Sequence, residues 1–432
     1  MDIQGWLAND IRASTLCAGE ETPKEEGYMK HRHFGVFTQL GNGHVYPTLP
    51  LCAELAKRGH RVTYGTNEHY ARVISEVGAE PVIFKNRPIS EDIKEEIRLG
   101  LAAPVDDPRF KTMMKSMRSH SFADTTELLS QVDAFYKENV PDAILYDRYH
   151  ILGRILAKRL DVRAIQISAT FAYYNGVAFR RNGVCEDPDI IVEWSKELDS
   201  FLSTYGITSP GSYWHVENLN IHLIPREFQH HGDWFDERFC FMGAHLNRPF
   251  RPMWTDRSNG RPVILISGIS TFSDTKIDYS WYFNMFVEAL SGLPYHCVLS
   301  IGEDEFARDL PSNFELNRHA SHLEILPYTA LSICHGGMST TLEAIYNGVP
   351  ALMIPLSEWC DEVAYRAEEL GLGVRLSTDT LSLETIRNTV SDMLQDTSLQ
   401  NRVNEMRDVF KRSGGAELAA KRIEAYLADC DR

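Results

Sequence analysis

Apolar and polar positions along this chain switch repeatedly between two periods. Short, almost wholly apolar runs at 33–39 (HFGVFTQ), Arg61–Tyr64, Glu80–Phe84, Ala143–Tyr146, Ala164–Ser168, Leu219–Ile224 and Phe239–Met242 read as buried strands. Helical patterns lie between them. Pro47 opens a helix whose apolar stripe is Leu49, Leu51, Cys52, Leu55 and Ala56 and whose stop is Gly59; Glu68–Glu76 and Ile151–Leu160 follow, and 90–135 is mainly helical. After the aromatic segment Phe171, Tyr173, Tyr174 and Phe179 the rhythm breaks at 247–262, NRPFRPMWTDRSNGRP, proline-rich and without period. It then restarts: strand Val263–Ser267, helix Trp281–Leu290, strand Cys297–Ile301, strand Leu331–Cys334, helix Ser339–Ile345 ended by Gly348-Val349-Pro350, strand Ala351–Ile354 and a terminal amphipathic helix Glu417–Leu427.

Strands alternating with helices imply parallel sheets with right-handed crossovers. The expected class is α/β, with two doubly wound Rossmann-like halves joined by a hinge. The expected divisions are an extension at 1–28, a first domain at 29–246, a linker at 247–262 and a second domain at 263–415, with 416–432 packing back on the first.

A net charge of −16 argues against nucleic acid or an anionic membrane surface as partner, so an anionic ligand must be held by local devices such as helix ends. No apolar run reaches 18 residues, so no membrane span is expected. The first 28 residues contain no apolar core of a signal peptide and read as a disordered extension. Eight cysteines without a CxxC pair, several inside apolar runs (Cys297, Cys334), read as buried free thiols of a reducing cytoplasm.

Two stretches carry chemistry. At Leu331–Pro355 a strand runs into His335-Gly336-Gly337 and then a helix with Ser339 and Thr340 in its first turn and Glu343 one turn on. Such a turn offers free amides and a positive helix end, which suit a phosphate, with His335 as an added donor; glycines alone would also serve an ordinary βαβ turn. The second stretch is Gly41-Asn42-Gly43-His44. His44 stands at a helix start, where the dipole favours the neutral imidazole, and Asp147 ends another strand of the same half. Strand carboxyl ends of an open parallel sheet face one crevice, so Asp147 could hold the His44 ring; alternatively His44 caps its turn and Asp147 caps the next helix. Tyr46 and bulky His44 spoil GNGHVY as a dinucleotide fingerprint. Glu303-Asp304-Glu305 reads as a solvated loop and Asp429-Cys430-Asp431 as a terminus, so no metal is expected. Met113, Met114 and Met117 read as core filler or as an adaptable wall for an apolar ligand.

GNGHVYPTLPLCAELAKRGHRVTY resembles the acceptor-side signature of family one GT-B nucleotide-sugar glycosyltransferases of the macrolide and flavonoid type, and His319–Cys360 resembles their donor-binding box. The likeness extends from Lys30 to about Tyr426. It implies an interdomain active site, with the acceptor in the first half and a UDP- or dTDP-sugar in the second, and no other cofactor. His44 then matches the base that deprotonates an acceptor hydroxyl, Asp147 its supporting carboxylate, His335, Gly337, Ser339 and Thr340 the diphosphate cradle, Glu343 the ribose contact and Ser270 a further phosphate contact. The product would be an inverted glycoside of a small apolar hydroxylated acceptor. Two departures stand out. The box usually opens W-x-P-Q, where this chain has His319-Ala320-Ser321-His322, and it closes on an acid and a glutamine, where this chain has Trp359 and Cys360. Either Glu358 or Asp361 takes over the sugar hydroxyls, or the donor is a less hydroxylated sugar such as a deoxysugar, which is the expectation here. A non-catalytic nucleotide-sugar-binding protein and a nucleotide-sugar epimerase are the rival readings. A homodimer is compatible with the sequence.

Overall fold

The structure is a computed structural model that describes residues 30–101, 103, 107–173, 188–208, 211–212, 215–243, 253–268, 280–301, 306, 308–318 and 320–430, with 188–191, 358 and 430 described in backbone only. The expectations at 1–28, Tyr174, Phe179, 247–252, Ser270, Glu303-Asp304-Glu305, His319 and Asp431 therefore lie outside the described residues. Residues from Arg32 onward form one unit.

Two all-parallel sheets make up this unit. The first contains β1 His33–Phe37, β2 Arg61–Thr66, β3 Glu80–Ile83, β4 Ala143–Asp147, β5 Arg163–Ser168, β6 Asn220–His222 and β7 Phe239–Phe241, in the order β3-β2-β1-β4-β5-β6-β7. The second contains β8 Val263–Ser267, β9 His296–Ser300, β10 Phe314–Asn317, β11 Thr329–Cys334, β12 Ala351–Met353 and β13 Gly373–Arg375, in the order β10-β9-β8-β11-β12-β13. Strands such as β4 and β8 are buried along their whole length, as covering both faces of a parallel sheet requires. This is the doubly wound α/β pair the sequence pattern implies. The pattern overlooked the short strands β10 and β13 and the helices Pro188–Ser203, Glu358–Glu369, Leu383–Gln395 and Thr397–Arg412.

Strand order reverses beside β1 and β4 in the first sheet and beside β8 and β11 in the second. Register pairs Phe37 with Tyr146, so the chain leaving β1 toward His44 and the carboxyl end of β4 at Asp147 are neighbours. In doubly wound sheets ligands sit at such reversals, outside the carboxyl ends of the strands.

One helix boundary differs from expectation. The helix starts at Asn42 rather than at Pro47, and the Gly41 carbonyl accepts from the amides of His44 (3.0 Å) and Val45 (2.9 Å). Pro47 thus lies inside the helix, where it has no N–H to give to the carbonyl four residues back, that of Gly43. Ser339 of the second lobe points its hydroxyl at this carbonyl, at 3.4 Å.

The last helix, Gly415–Cys430, returns to the first sheet. Its Ala416, Ala419, Ala420, Ile423 and Leu427 are buried in the core that contains Leu51, Leu55 and Ile221. Glu424 accepts from Arg58 and pairs with the His60 ring, both at 3.0 Å, and the Gly415 amide donates to the Met242 carbonyl. Ile423→Ala removes a fully buried side chain from this seam and is expected to cost about 2–5 kcal/mol of stability, read as a lowered urea midpoint.

Candidate active site

A cavity of about 660 Å³ lies between the lobes and is lined by both, from Gln39–Tyr46 on one side to His335–Glu343 on the other. On the first-lobe side, His44 Nδ1 and Asp147 Oδ2 are 2.5 Å apart. Asp147 is the last residue of β4 and is buried, with its other oxygen accepting from the Tyr149 amide at 3.0 Å; the His44 side chain keeps 20% exposure and meets the Tyr149 ring edge-on. Burial opposes the imidazolium, but the charge and hydrogen bond of Asp147 outweigh it and set the His44 pKa above its ordinary value. Burial likewise opposes the Asp147 carboxylate, and the His44 charge and the bonds from His44 and Tyr149 hold its pKa below the usual range. The helix-start argument for a neutral ring is thus overridden by the carboxylate. With Nδ1 turned to Asp147, Nε2 is left to act on a ligand.

Facing this pair is the turn from β11 into the helix Met338–Tyr346. Gly336 has φ +78°, and a Cβ there would come within 2.8 Å of the Cys360 carbonyl oxygen; one on Gly337 would come within 2.5 Å of His335 Nε2. The turn therefore admits only glycine at 336, and the His335 ring lies over Gly337. Gly337 is the N-cap and places no side chain on the first-turn amides. His335 is buried and its Nδ1 has no hydrogen-bond partner. Burial, aided by the His322 charge, pushes its pKa down to about 4, so the ring is neutral near pH 7 and can donate only one N–H.

Gly337, Ser339, Thr340 and Glu343 line the same cavity, as do His322, Trp359 and Cys360. His322 lies between Ser321 and Glu324, the two residues of a capping box; its Nε2 meets Ser300 Oγ at 3.0 Å and its Nδ1 lies 3.8 Å from Glu343 Oε2. Trp359 reaches across to the first lobe, its ring centroid 6.4 Å from that of Phe110, and packs on the cluster of Ile97, Phe110, Met113 and Met114. The methionine patch is thus divided: Met113 is core, and Met114 and Met117 line the cavity. Burial pushes the Cys360 thiol up to about 11, which leaves a neutral, weakly polar group.

Asp361 is not brought to the cavity, because Arg375 holds its carboxylate in an ion pair. The sequence reading missed Glu362, which is buried and lines the cavity three residues, and so nearly one turn, after Trp359. It also missed Arg118 and Arg154. The available signal was a charge on an otherwise apolar face: Arg118 is four residues from Met114 and from Phe122.

Comparison with known proteins accords with this arrangement. Residues 289–424 match the erythromycin biosynthesis protein CIII-like C-terminal domain. The chain is 32% identical over 416 residues to the NDP-glycosyltransferase YjiC of Bacillus licheniformis, covering 93% of this chain and 99% of that protein. It is 28% identical to the demethyllactenocin mycarosyltransferase of Streptomyces fradiae, over 94% and 88% of the two chains. Among solved structures it superposes on the calicheamicin glycosyltransferase CalG4 with a TM-score of 0.77 at 30% identity, covering 93% of this chain and 99% of that one. The two facing Rossmann-like domains together with these relatives mark a GT-B glycosyltransferase. Within that class the chain belongs to the NDP-glycosyltransferase family that includes YjiC.

Gly336→Ala would force a side chain into left-handed backbone and against a carbonyl. A loss of about 1–3 kcal/mol is expected, with a lower melting temperature, whereas Gly41→Ala, with nothing within 4 Å of its Cβ, should melt close to the parent.

Proposed function

We propose that the protein moves a sugar from a UDP- or dTDP-sugar to a hydroxyl of a small apolar natural product, of macrolide, polyketide or flavonoid kind, inverting the anomeric carbon. The observation that carries this reading is the His44–Asp147 pair facing an uncapped helix start across one cavity. The acceptor hydroxyl gives its proton to His44 Nε2 as its oxygen attacks the anomeric carbon from the face opposite the leaving group. The new C–O bond forms as the bond to the diphosphate oxygen breaks, and Asp147 stabilises the imidazolium that results. Charge accumulating on the leaving diphosphate is met by the first-turn amides of Met338–Tyr346 and by His335, Ser339 and Thr340, with no dedicated metal called for. In this reading Glu343 accepts from the ribose, and His322 lies beside it.

The names of the relatives support an apolar acceptor: one is a demethyllactenocin mycarosyltransferase and another, from Streptomyces antibioticus, an oleandomycin glycosyltransferase. The aromatic and methionine wall of the first lobe supports it on chemical grounds. For the donor sugar, an apolar Trp359 and an Asp361 tied to Arg375 favour a sugar with fewer hydroxyls, and Glu362 supplies the one described carboxylate of this helix at the cavity.

His44→Ala should lower transfer by roughly 10²–10⁴-fold while nucleoside diphosphate binding, measured by calorimetry, persists; undiminished transfer would remove His44 as the base. The base works only when neutral, and Asp147 raises its pKa, so the acid limb of the kcat/KM–pH profile should lie above pH 6.5. In Asp147→Asn the opposing carboxylate charge is gone and burial dominates. The limb should then move to lower pH as kcat falls, and a limb that stays in place would dissociate Asp147 from the titration.

A further inference from the structure

The acceptor side of the cavity has a charge pattern opposite to that of the whole protein. The chain carries a net charge of −16, yet among the described first-lobe residues lining the cavity the formally charged ones are three arginines, Arg118, Arg148 and Arg154, and none is an aspartate or glutamate. Acids stand behind this wall. Arg118 Nε donates to Glu197 Oε2 at 3.0 Å, and Arg154 lies within electrostatic reach of Asp199 and Glu217. Arg148 lies over the Tyr173 ring, 4.1 Å from its centroid. Arg118 is the most confined of the three, with only 5% exposure, and its guanidinium lies 5.8 Å from the centre of the Trp194 ring, itself on the cavity wall. Its Nη1 is buried without a hydrogen-bond partner.

A buried guanidinium with an unused N–H is costly, and one charged bond to Glu197 does not use its planar fork of donors. A carboxylate or an ionised phenol supplies what is missing: a second anionic oxygen acceptor in a desolvated site beside an aromatic plane. We propose that the acceptor is an acidic aromatic compound, recognised through an anionic oxygen by Arg118 with Arg154 alongside, while its nucleophilic hydroxyl is presented to His44. This rests on the transferase reading and adds one anionic group to its otherwise apolar acceptor. An uncharged macrolide would leave the Arg118 donor unused.

Matched pairs of probes test this: a hydroxynaphthoic acid with hydroxyl and carboxyl on opposite rings, a longer hydroxybiphenylcarboxylic acid, and the methyl ester of each. Binding is followed by tryptophan fluorescence quenching, and transfer is followed in parallel with a UDP- and a dTDP-sugar panel. In the parent, at least one acid should bind about tenfold or more tightly than its ester. In Arg118→Met that ratio should fall toward one, and Arg118→Lys, which keeps the charge without the fork, should fall between; near-parent melting temperatures confirm that both variants are folded. Should Arg118→Met fail to fold, Arg118→Lys and Arg154→Lys carry the test through the same ratio. Equal binding of acid and ester in both pairs, or an acid preference indifferent to Arg118, overturns the proposal even if transfer is seen. Acid-selective binding with no transfer across the donor panel overturns the transferase reading instead and leaves the anion site standing.

Discussion

The structure depends on a short bond between two residues that neither β1 nor β4 would place alone. Asp147 sits at the carboxyl end of β4, His44 in the first helical turn after β1, and the parallel register of those strands brings them to 2.5 Å. Shifting either strand by one residue would turn Asp147 to the opposite face of the sheet and separate the pair. The rest of the first lobe can be read as what keeps this register. β1 and β4 are sealed by fully buried side chains, and the terminal helix adds a second layer against the β1 side through Ile423 and Leu427. The bond also decides the proton inventory. Burial works against the ring's proton, and the Asp147 charge and hydrogen bond more than offset it, so the pKa lies above its ordinary value.

The second lobe treats its own histidine in the opposite way. His335 has no carboxylate at hydrogen-bonding distance, and burial keeps it neutral. Two imidazoles lining one cavity are thus shifted in opposite directions, one raised by a carboxylate and the other lowered by burial. What separates them is a single carboxylate, a difference neither histidine's local sequence displays.

Much of this was legible from residue order. Apolar runs of near-continuous burial marked β1, β4, β8 and β11 because parallel strands covered on both faces cannot alternate, and His335-Gly336-Gly337 marked its turn because only glycine tolerates φ +78° against a carbonyl. The resemblance to a known family supplied the roles of His44 and Asp147, while their meeting needed coordinates. Other features were hidden for physical reasons. β10 (FELN) and β13 (GVR) are only partly buried and interleave polar residues, so neither forms an apolar run. Pro47 looked like a helix start because proline favours that place, yet here the start lies earlier, at Asn42. Asp361 looked available because sequence cannot show that Arg375 would claim it, and nothing in the sequence set Glu362 apart until its helix was oriented.

Pro47, one of two prolines inside the helix Asn42–Lys57, has one more effect. By withholding an N–H it leaves the Gly43 carbonyl open beside the base, and the Ser339 hydroxyl fills the gap from the opposite lobe. A hydroxyl owns a single proton. That proton is committed across the cleft to the residue next to His44, so any group that took it would leave the Gly43 carbonyl without this partner.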